Sequence, residues 1–148
     1  MKGGNEMTYI ETLGSNAVKV KKILAVADTG KKNSALAEIS RALIENSDKI
    51  IEANQKDLTA AKENGMSVSM QDRLMLNEDR IKGIASAVDE LIKLEDPIGK
   101  VDNGFVRPNG MRITKIRVPM GVIGMIYESR PNVTADAATP VSYTHLRA

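Results

Sequence analysis

Cysteine is missing from this sequence, and histidine and the aromatic residues are scarce. The 148 residues include no Cys, no Trp, one Phe and one His. A chain without cysteine forms no disulfide and supplies neither a thiolate metal ligand nor a thiol nucleophile. The single histidine, His145, lies in a C-terminal stretch that differs in character from the rest. We therefore expect no metal site and no histidine-based acid or base.

A strong charge of either sign and a long apolar run are also missing. The formal net charge is +2, which is too small for the basic surface that nucleic-acid-binding proteins usually present. No apolar run approaches the roughly 18 residues of a membrane-spanning helix, and no signal-peptide pattern opens the chain. The 42% hydrophobic and 27% charged residues are typical of a globular domain. We expect a cytoplasmic protein with no nucleic-acid or membrane partner.

Helical periodicity dominates the chain up to Pro97. The apolar residues of NAVKVKKILAVADTG share one helical face: Val20, Ile23, Leu24 and Ala27. We expect Thr29-Gly30 to end this helix, and Asn33 or Ser34 to cap a second helix over SALAEISRALIEN.

Two further helices are predicted before Pro97. The third begins at Ser47 and Asp48, and Gly65 is expected to end it in the left-handed conformation. The fourth is predicted over 78–94 with Asn77 as its cap. Its apolar residues recur at helical spacing: Ile81, Ile84, Ala85, Val88, Leu91 and Ile92.

After Pro97 the pattern changes to extended strands. Asn109-Gly110 lies between two extended stretches of GFVRPNGMRITKIRV, which is a strong β-hairpin signal. Neither face of MRITKIRV is purely apolar, so we expect a sheet edge or a subunit contact there. The next stretch, GVIGMI, is almost continuously apolar, which is typical of a strand buried in a parallel sheet. It predicts the opening section of a larger α/β protein.

The candidate site follows that strand, at Tyr127-Glu128-Ser129-Arg130-Pro131-Asn132. In open α/β sheets, ligands bind at the carboxyl ends of the strands, where helix N-termini favour anions such as phosphate. Arg130 can add a charge-assisted donor, and Asn132 can direct its amide at a developing oxyanion. Arg130 as a surface or salt-bridge residue and Asn132 as a plain helix cap are equally good interpretations. The dinucleotide-binding fingerprint G-x-G-x-x-G is absent.

The segment RVPMGVIGMIYESRPNVTADAA resembles the gamma-glutamyl phosphate reductase family, which lies in the aldehyde dehydrogenase superfamily. ANQKDLTAAKENGMSVSMQDRLMLNEDRIKGIASAV and LEDPIGKV agree with that family in order and spacing, so the resemblance covers most of residues 8–138. It implies the NADPH-dependent reduction of L-glutamyl 5-phosphate to L-glutamate 5-semialdehyde and phosphate, in proline biosynthesis. In that chemistry a cysteine thiolate attacks the acyl phosphate and hydride from the nicotinamide reduces the thioester.

The resemblance also assigns site residues. It implies that six residues contact the cofactor: Tyr127, Glu128, Ser129, Arg130, Pro131 and Asn132. It further makes Asn132 a candidate oxyanion donor in catalysis.

Four regions follow from the same resemblance. They are an N-terminal helical segment (1–98), a β-hairpin arm for homo-oligomerisation (99–119), the first strand, turn and helix of an α/β nucleotide-binding domain like that of aldehyde dehydrogenases (120–138), and a tail that looks non-native (139–148). Pro140 is expected to end the last helix.

The missing nucleophile leads to two further expectations. If the chain is a truncated reductase, it should be inactive alone because it has no cysteine. The alternative is a non-catalytic helical protein-interaction module, which the amphipathic helices support. In either case the unpartnered strand GVIGMI should promote aggregation.

Overall fold

The structure is a computed structural model that describes residues 8–128 and 130–144, with side chains up to Thr139. Its elements, in chain order, are α1 (Tyr9–Ala25), α2 (Thr29–Glu45), α3 (Ser47–Glu63), α4 (Val68–Leu74), α5 (Glu78–Ile92), β1 (Val101–Val106), β2 (Arg112–Ile116) and α6 (Val133–Thr144). The described part is therefore helical up to α5, as the sequence predicts, and then continues as a hairpin and one more helix. The division into regions at 98, 119 and 138 stays a prediction.

The core lies between α2 and α5. Leu36 of α2 and Val88 of α5 are 1% and 2% exposed, and Leu91 and Ile92 pack against them. The remaining members of the predicted α5 stripe are buried or half-buried: Ile81, Ile84 and Ala85. Full burial of one such aliphatic side chain contributes about 1.5–3 kcal/mol, so the α2–α5 contact stabilises the helical part.

Side-chain caps set the helix starts, and one start differs from the prediction. Asp28 Oδ1 accepts a hydrogen bond from the Lys31 backbone N–H at 2.7 Å, so α2 begins at Thr29. Thr29-Gly30 therefore open α2 instead of ending α1, and the predicted caps Asn33 and Ser34 lie inside the helix. An aspartate carboxylate satisfies a free amide of the first turn, which outweighs the tendency of glycine to end a helix.

Two other predicted helix boundaries are confirmed. Asn77 Oδ1 accepts from the Arg80 N–H at 2.8 Å and caps α5. Gly65 has φ +71° after the end of α3, a conformation that glycine adopts without steric cost. The short helix α4 was not predicted; Ser67 caps it.

A buried amide fixes the connection from α3 to α5. Asn54 of α3 is 3% exposed. Its Nδ2 donates to the Leu74 carbonyl at 2.8 Å, and its Oδ1 accepts from the Leu76 N–H at 2.7 Å. Both polar atoms of the side chain are thereby satisfied, and the chain between α4 and α5 is held against α3.

The predicted hairpin is confirmed. Strands β1 and β2 pair antiparallel, with Phe105 opposite Ile113. In the turn, the Arg107 carbonyl accepts from the Gly110 N–H at 2.8 Å and Gly110 has φ +84°. Both strands are exposed along their whole length, which agrees with the predicted edge or contact position.

Residues 121–126 do not form the predicted buried strand. Val122, Ile123 and Met125 are about half exposed, and Ile126 is fully exposed. The part of the chain that the structure describes contains only the β1–β2 sheet, so this stretch has no parallel neighbour with which to pair. Val122 and Ile123 instead line an apolar groove beside Ile23 and Leu24 of α1.

Helix α6 continues past Pro140 to Thr144, so the expectation that Pro140 ends the helix was wrong. A proline removes one backbone donor and crowds the carbonyl four residues earlier. Packing compensates, because α6 contacts both α5 and α2 and Thr139 is 2% exposed. Whether residues 139–148 are foreign to the protein stays a prediction, and His145 lies outside the described residues.

Candidate functional site

The predicted loop joins the extended residues 121–126 to α6. The Tyr127 hydroxyl lies 2.5 Å from Thr134 Oγ1, and the Arg130 carbonyl accepts from the Val133 N–H at 3.1 Å. These bonds link the loop to the first turn of α6. Ser129 lies outside the described residues, so its contact with a cofactor stays a prediction.

Asn132 begins α6 through its backbone. Its carbonyl accepts from the N–H groups of Ala135 and Asp136, at 3.1 and 2.9 Å. Its side-chain Nδ2 donates to Asp136 Oδ2 at 2.7 Å. That bond uses one of the two amide hydrogens, so the other is available to an acceptor on a ligand.

A cavity of about 590 Å³ lies between the start of α6 and the helices α4 and α5. Six polar or charged residues line it: Asp72, Arg73, Arg80, Arg130, Asn132 and Asp136. A smaller cavity of about 270 Å³ is lined by Met70, Arg73, Glu128 and Arg130. The structure therefore brings Glu128, Arg130 and Asn132 of the predicted loop to the edge of a polar cleft. Half-buried Pro131 contributes no polar group.

The three arginines of the larger cavity differ in their partners. Arg80 donates to Asp72 Oδ1 at 2.9 Å and to the Met75 carbonyl at 2.8 Å, and also contacts the Asp72 carbonyl. Arg80 is thereby held in place and its charge is balanced. Arg73 and Arg130 are exposed, and neither has an ion pair with a described carboxylate. These two cations are the ones free to meet an anion.

Sequence reasoning missed Arg73 and Arg80 as members of the site. Arg73 lies in the last turn of α4, a helix that the sequence did not reveal, and Arg80 lies in the first turn of α5. No motif links either residue to the loop at 127–132, because their proximity arises from tertiary packing: α6 contacts α5, and α3 contacts both α4 and α5.

Guanidinium and amide groups at a helix start are donors that suit a phosphate or a carboxylate.

Among residues 8–128 and 130–144, no cluster of three or more His, Cys, Asp or Glu side chains is arranged to hold a metal ion. No helix within these ranges is both long and apolar enough to cross a membrane.

Comparison with known proteins identifies related chains. A gamma-glutamyl phosphate reductase of Caldanaerobacter subterraneus subsp. tengcongensis is 50% identical over 129 residues, which is 87% of this chain and 31% of the relative. The enzyme of that name from Clostridium perfringens is 54% identical over 125 residues, covering 84% of this chain and 30% of its own length. No protein-family profile matches the chain.

A solved structure agrees with these sequences. The crystal structure of gamma-glutamyl phosphate reductase from Thermotoga maritima superposes with a TM-score of 0.83 at 41% identity, over 90% of this chain and 33% of its own. This likeness confirms the predicted fold class, an N-terminal helical segment with a hairpin from an α/β protein. The chain spans about a third of the length of the relatives it matches.

Proposed function

We propose that this chain forms part of an oxidoreductase of proline biosynthesis. The premise is that the chain belongs to the gamma-glutamyl phosphate reductase family over the stretch that it shares with those proteins. The observation that carries the proposal is the 50–54% identity over 125–129 residues, together with the structural match. The family that the sequence resembles is thereby confirmed. The alternative, a non-catalytic helical interaction module, is not favoured by any of these relatives.

The proposed reaction reduces L-glutamyl 5-phosphate to L-glutamate 5-semialdehyde. The bond between the acyl carbon and the phosphate oxygen breaks and phosphate leaves, while NADPH, if bound, would supply the hydride that reduces the acyl carbon and would become NADP⁺. The thiol that first accepts the acyl group is not in this sequence, which contains no cysteine. The family resemblance implies that this thiol lies outside the stretch that the chain shares with its relatives.

The contribution of this chain is to shape one wall of the site. The α2–α5 core supports α6, and α6 in turn positions the loop that ends at Asn132. The Asn132 amide lines the cavity at a helix start, where backbone dipoles also favour negative charge. This arrangement supports an oxyanion role for Asn132.

The donor set of the cleft suits a phosphate-bearing cofactor. NADPH, when bound, supplies the hydride. Its negatively charged phosphate groups suit a cleft with a cationic lining, while Tyr127 and Glu128 lie at the exposed edge of the loop. The residues present therefore fit the cofactor that the family resemblance implies. We also propose that the enzyme is cytoplasmic and that its subunits contact each other through the exposed hairpin.

A chimera tests the proposal directly. Residues 8–138 of this chain would replace the corresponding segment of the Clostridium perfringens reductase, and NADPH oxidation would be measured with L-glutamyl 5-phosphate. We expect activity within about tenfold of the parent, because the two segments share their fold and half of their residues. The isolated chain should show no turnover. A folded chimera without activity, beside an active parent, would contradict the proposal.

Two variants of that chimera separate the possible roles of Asn132. Asn132→Asp keeps an acceptor for helix capping but removes both amide hydrogens. An oxyanion role predicts that Asn132→Asp and Asn132→Ala both lower kcat by about 10²–10³. A purely structural role, through the bond to Asp136, predicts that both variants lose stability, and that Asn132→Asp loses more because it sets two carboxylates side by side. Thermal denaturation of both variants provides the check on folding.

A further inference from the structure

Arg73 and Arg130 border both cavities beside α6. They are the two residues common to the linings of the 590 Å³ and the 270 Å³ space. Arg73 comes from the end of α4 and Arg130 from the loop before α6. Two arginines from distant parts of the sequence therefore face the same region of the cleft.

The charges around this pair balance in number, with three guanidinium groups and three carboxylates in the two linings, but no described carboxylate forms an ion pair with Arg73 or Arg130. The larger cavity has three guanidinium groups and two carboxylates. Asp72 is bound by Arg80, and Asp136 accepts from the Asn132 amide. In the smaller cavity Glu128 is the one carboxylate that accompanies the two arginines. Arg73 and Arg130 border one cavity, and no carboxylate among the described residues is bound to either of them. The two cations therefore repel each other, and an anion between them removes that repulsion.

We infer that Arg73 and Arg130 together form a binding subsite for a phosphate group. Each guanidinium can donate two parallel hydrogen bonds to phosphate oxygens, and the N-terminus of α6 adds its dipole from the same side. Arg80, which is tied to Asp72 and Met75, lines the wall without taking part.

The origin of the phosphate rests on the proposed function. Under that function two molecules in the reaction carry one: the acyl phosphate of the substrate and the dinucleotide cofactor. The chemistry that Arg73 and Arg130 recognise is the same in both cases, so competition between probes is needed to decide between them.

Titration of this chain with inorganic phosphate is the primary test. Arginine Nε–Hε signals would be followed by NMR at constant ionic strength, with chloride as the balancing anion. We expect the signals of Arg73 and Arg130 to shift with one common Kd. Arg73→Gln and Arg130→Gln should each raise that Kd about tenfold or more, because each removes a charge-assisted donor pair.

Arg112→Gln is the matched control. Arg112 is an exposed arginine on β2 that lines neither cavity, so the substitution makes the same change in net charge and should leave the Kd within about twofold. Circular dichroism would verify that all three variants keep their helices. Absence of saturable binding, an effect of only one of the two cleft arginines, or an equal effect of Arg112→Gln would overturn the inference.

Competition then assigns the source of the phosphate. Displacement of inorganic phosphate by acetyl phosphate supports a substrate subsite, and displacement by NADPH supports a cofactor subsite; displacement by neither overturns the link to the reaction. The titration requires no turnover. If the chain binds phosphate but the chimera is inactive, the result counts against the proposed function and not against the subsite. If the chimera is active but the chain binds no phosphate, the result counts against the subsite and not against the proposed function.

Discussion

Lys32 Nζ lies 2.8 Å from Asp96 Oδ2, and only 9% and 11% of the two side chains are exposed. The same carboxylate accepts from the Thr29 hydroxyl at 2.9 Å and from the Ile98 N–H at 3.0 Å. Asp96 thus joins the first turn of α2 to the segment that leads into the hairpin. The Lys32–Asp96 pair is the least exposed ion pair among the described residues.

Asp96→Ala should destabilise the chain by about 2–3 kcal/mol, because it leaves the Lys32 charge and two hydrogen-bond donors without their acceptor in a sheltered place. The measurement is the free energy of unfolding from urea denaturation. Glu52→Ala is the control: it breaks the Lys56–Glu52 pair, whose side chains are about three-quarters exposed, and should cost less than about 1 kcal/mol. Equal losses in the two variants would show that burial does not strengthen the Asp96 pair.

The contribution of Asp96 should also depend on pH. Burial alone would raise the pKa of the Asp96 carboxyl, but the Lys32 ammonium, the Ile98 N–H and the Thr29 hydroxyl together hold that pKa below the ordinary value of 3.8. The folded state therefore favours the ionised form. The resulting stabilisation is complete above pH 3.8 and is lost as the pH falls through the lower folded-state pKa.

The difference in unfolding free energy between the unaltered chain and Asp96→Ala isolates this effect, since the other carboxylates titrate in both proteins. We expect that difference to be constant near neutral pH and to shrink under acid conditions. If this difference does not change down to the lowest pH at which the chain is folded, the result contradicts a lowered pKa of the Asp96 carboxyl.

Asn54→Ala should cost about 2–3 kcal/mol, because it leaves the Leu74 carbonyl and the Leu76 N–H unpaired beneath the α4–α5 connection. Gln55→Ala, at the exposed neighbouring position, is the matched amide control and should change stability by less than about 0.5 kcal/mol. Hydrogen exchange adds a local measurement: the Leu76 amide should exchange faster in Asn54→Ala. Unchanged protection of that amide would show that Asn54 does not hold the connection.

Local signals explain which parts of the fold could be predicted. The α5 stripe, the Asn77 cap and the Asn109-Gly110 turn depend on residues close together in sequence, and all three are confirmed. The start of α2 was predicted wrongly because Asp28 and Gly30 carry opposing local signals, and the hydrogen bond from Asp28 decides between them.

Only one part of the candidate site, the loop, could be predicted from the sequence. The loop at 127–132 follows from the sequence motif, whereas Arg80 reaches it through the packing of α6 on α5, and Arg73 through α3, which contacts both α4 and α5. The same dependence on partners explains residues 121–126. Their composition indicates a strand, but hydrogen bonding to neighbours is what makes a strand, and the described residues supply none.

Residues 121–126, which pair with no strand among the described residues, should make the isolated chain self-associate. Ile126 is fully exposed and Met125 is half exposed, and an apolar extended segment with free backbone groups readily pairs with another copy. We expect the elution volume in size-exclusion chromatography to fall as the concentration rises. Ile126→Lys should shift the equilibrium towards monomer, because a charge on an open strand edge opposes such pairing. Val68→Lys is the control, since Val68 is similarly exposed but lies in α4, and it should leave association nearly unchanged. A chain that elutes as a monomer at every concentration, or equal effects of the two lysines, would show that residues 121–126 are not the surface responsible.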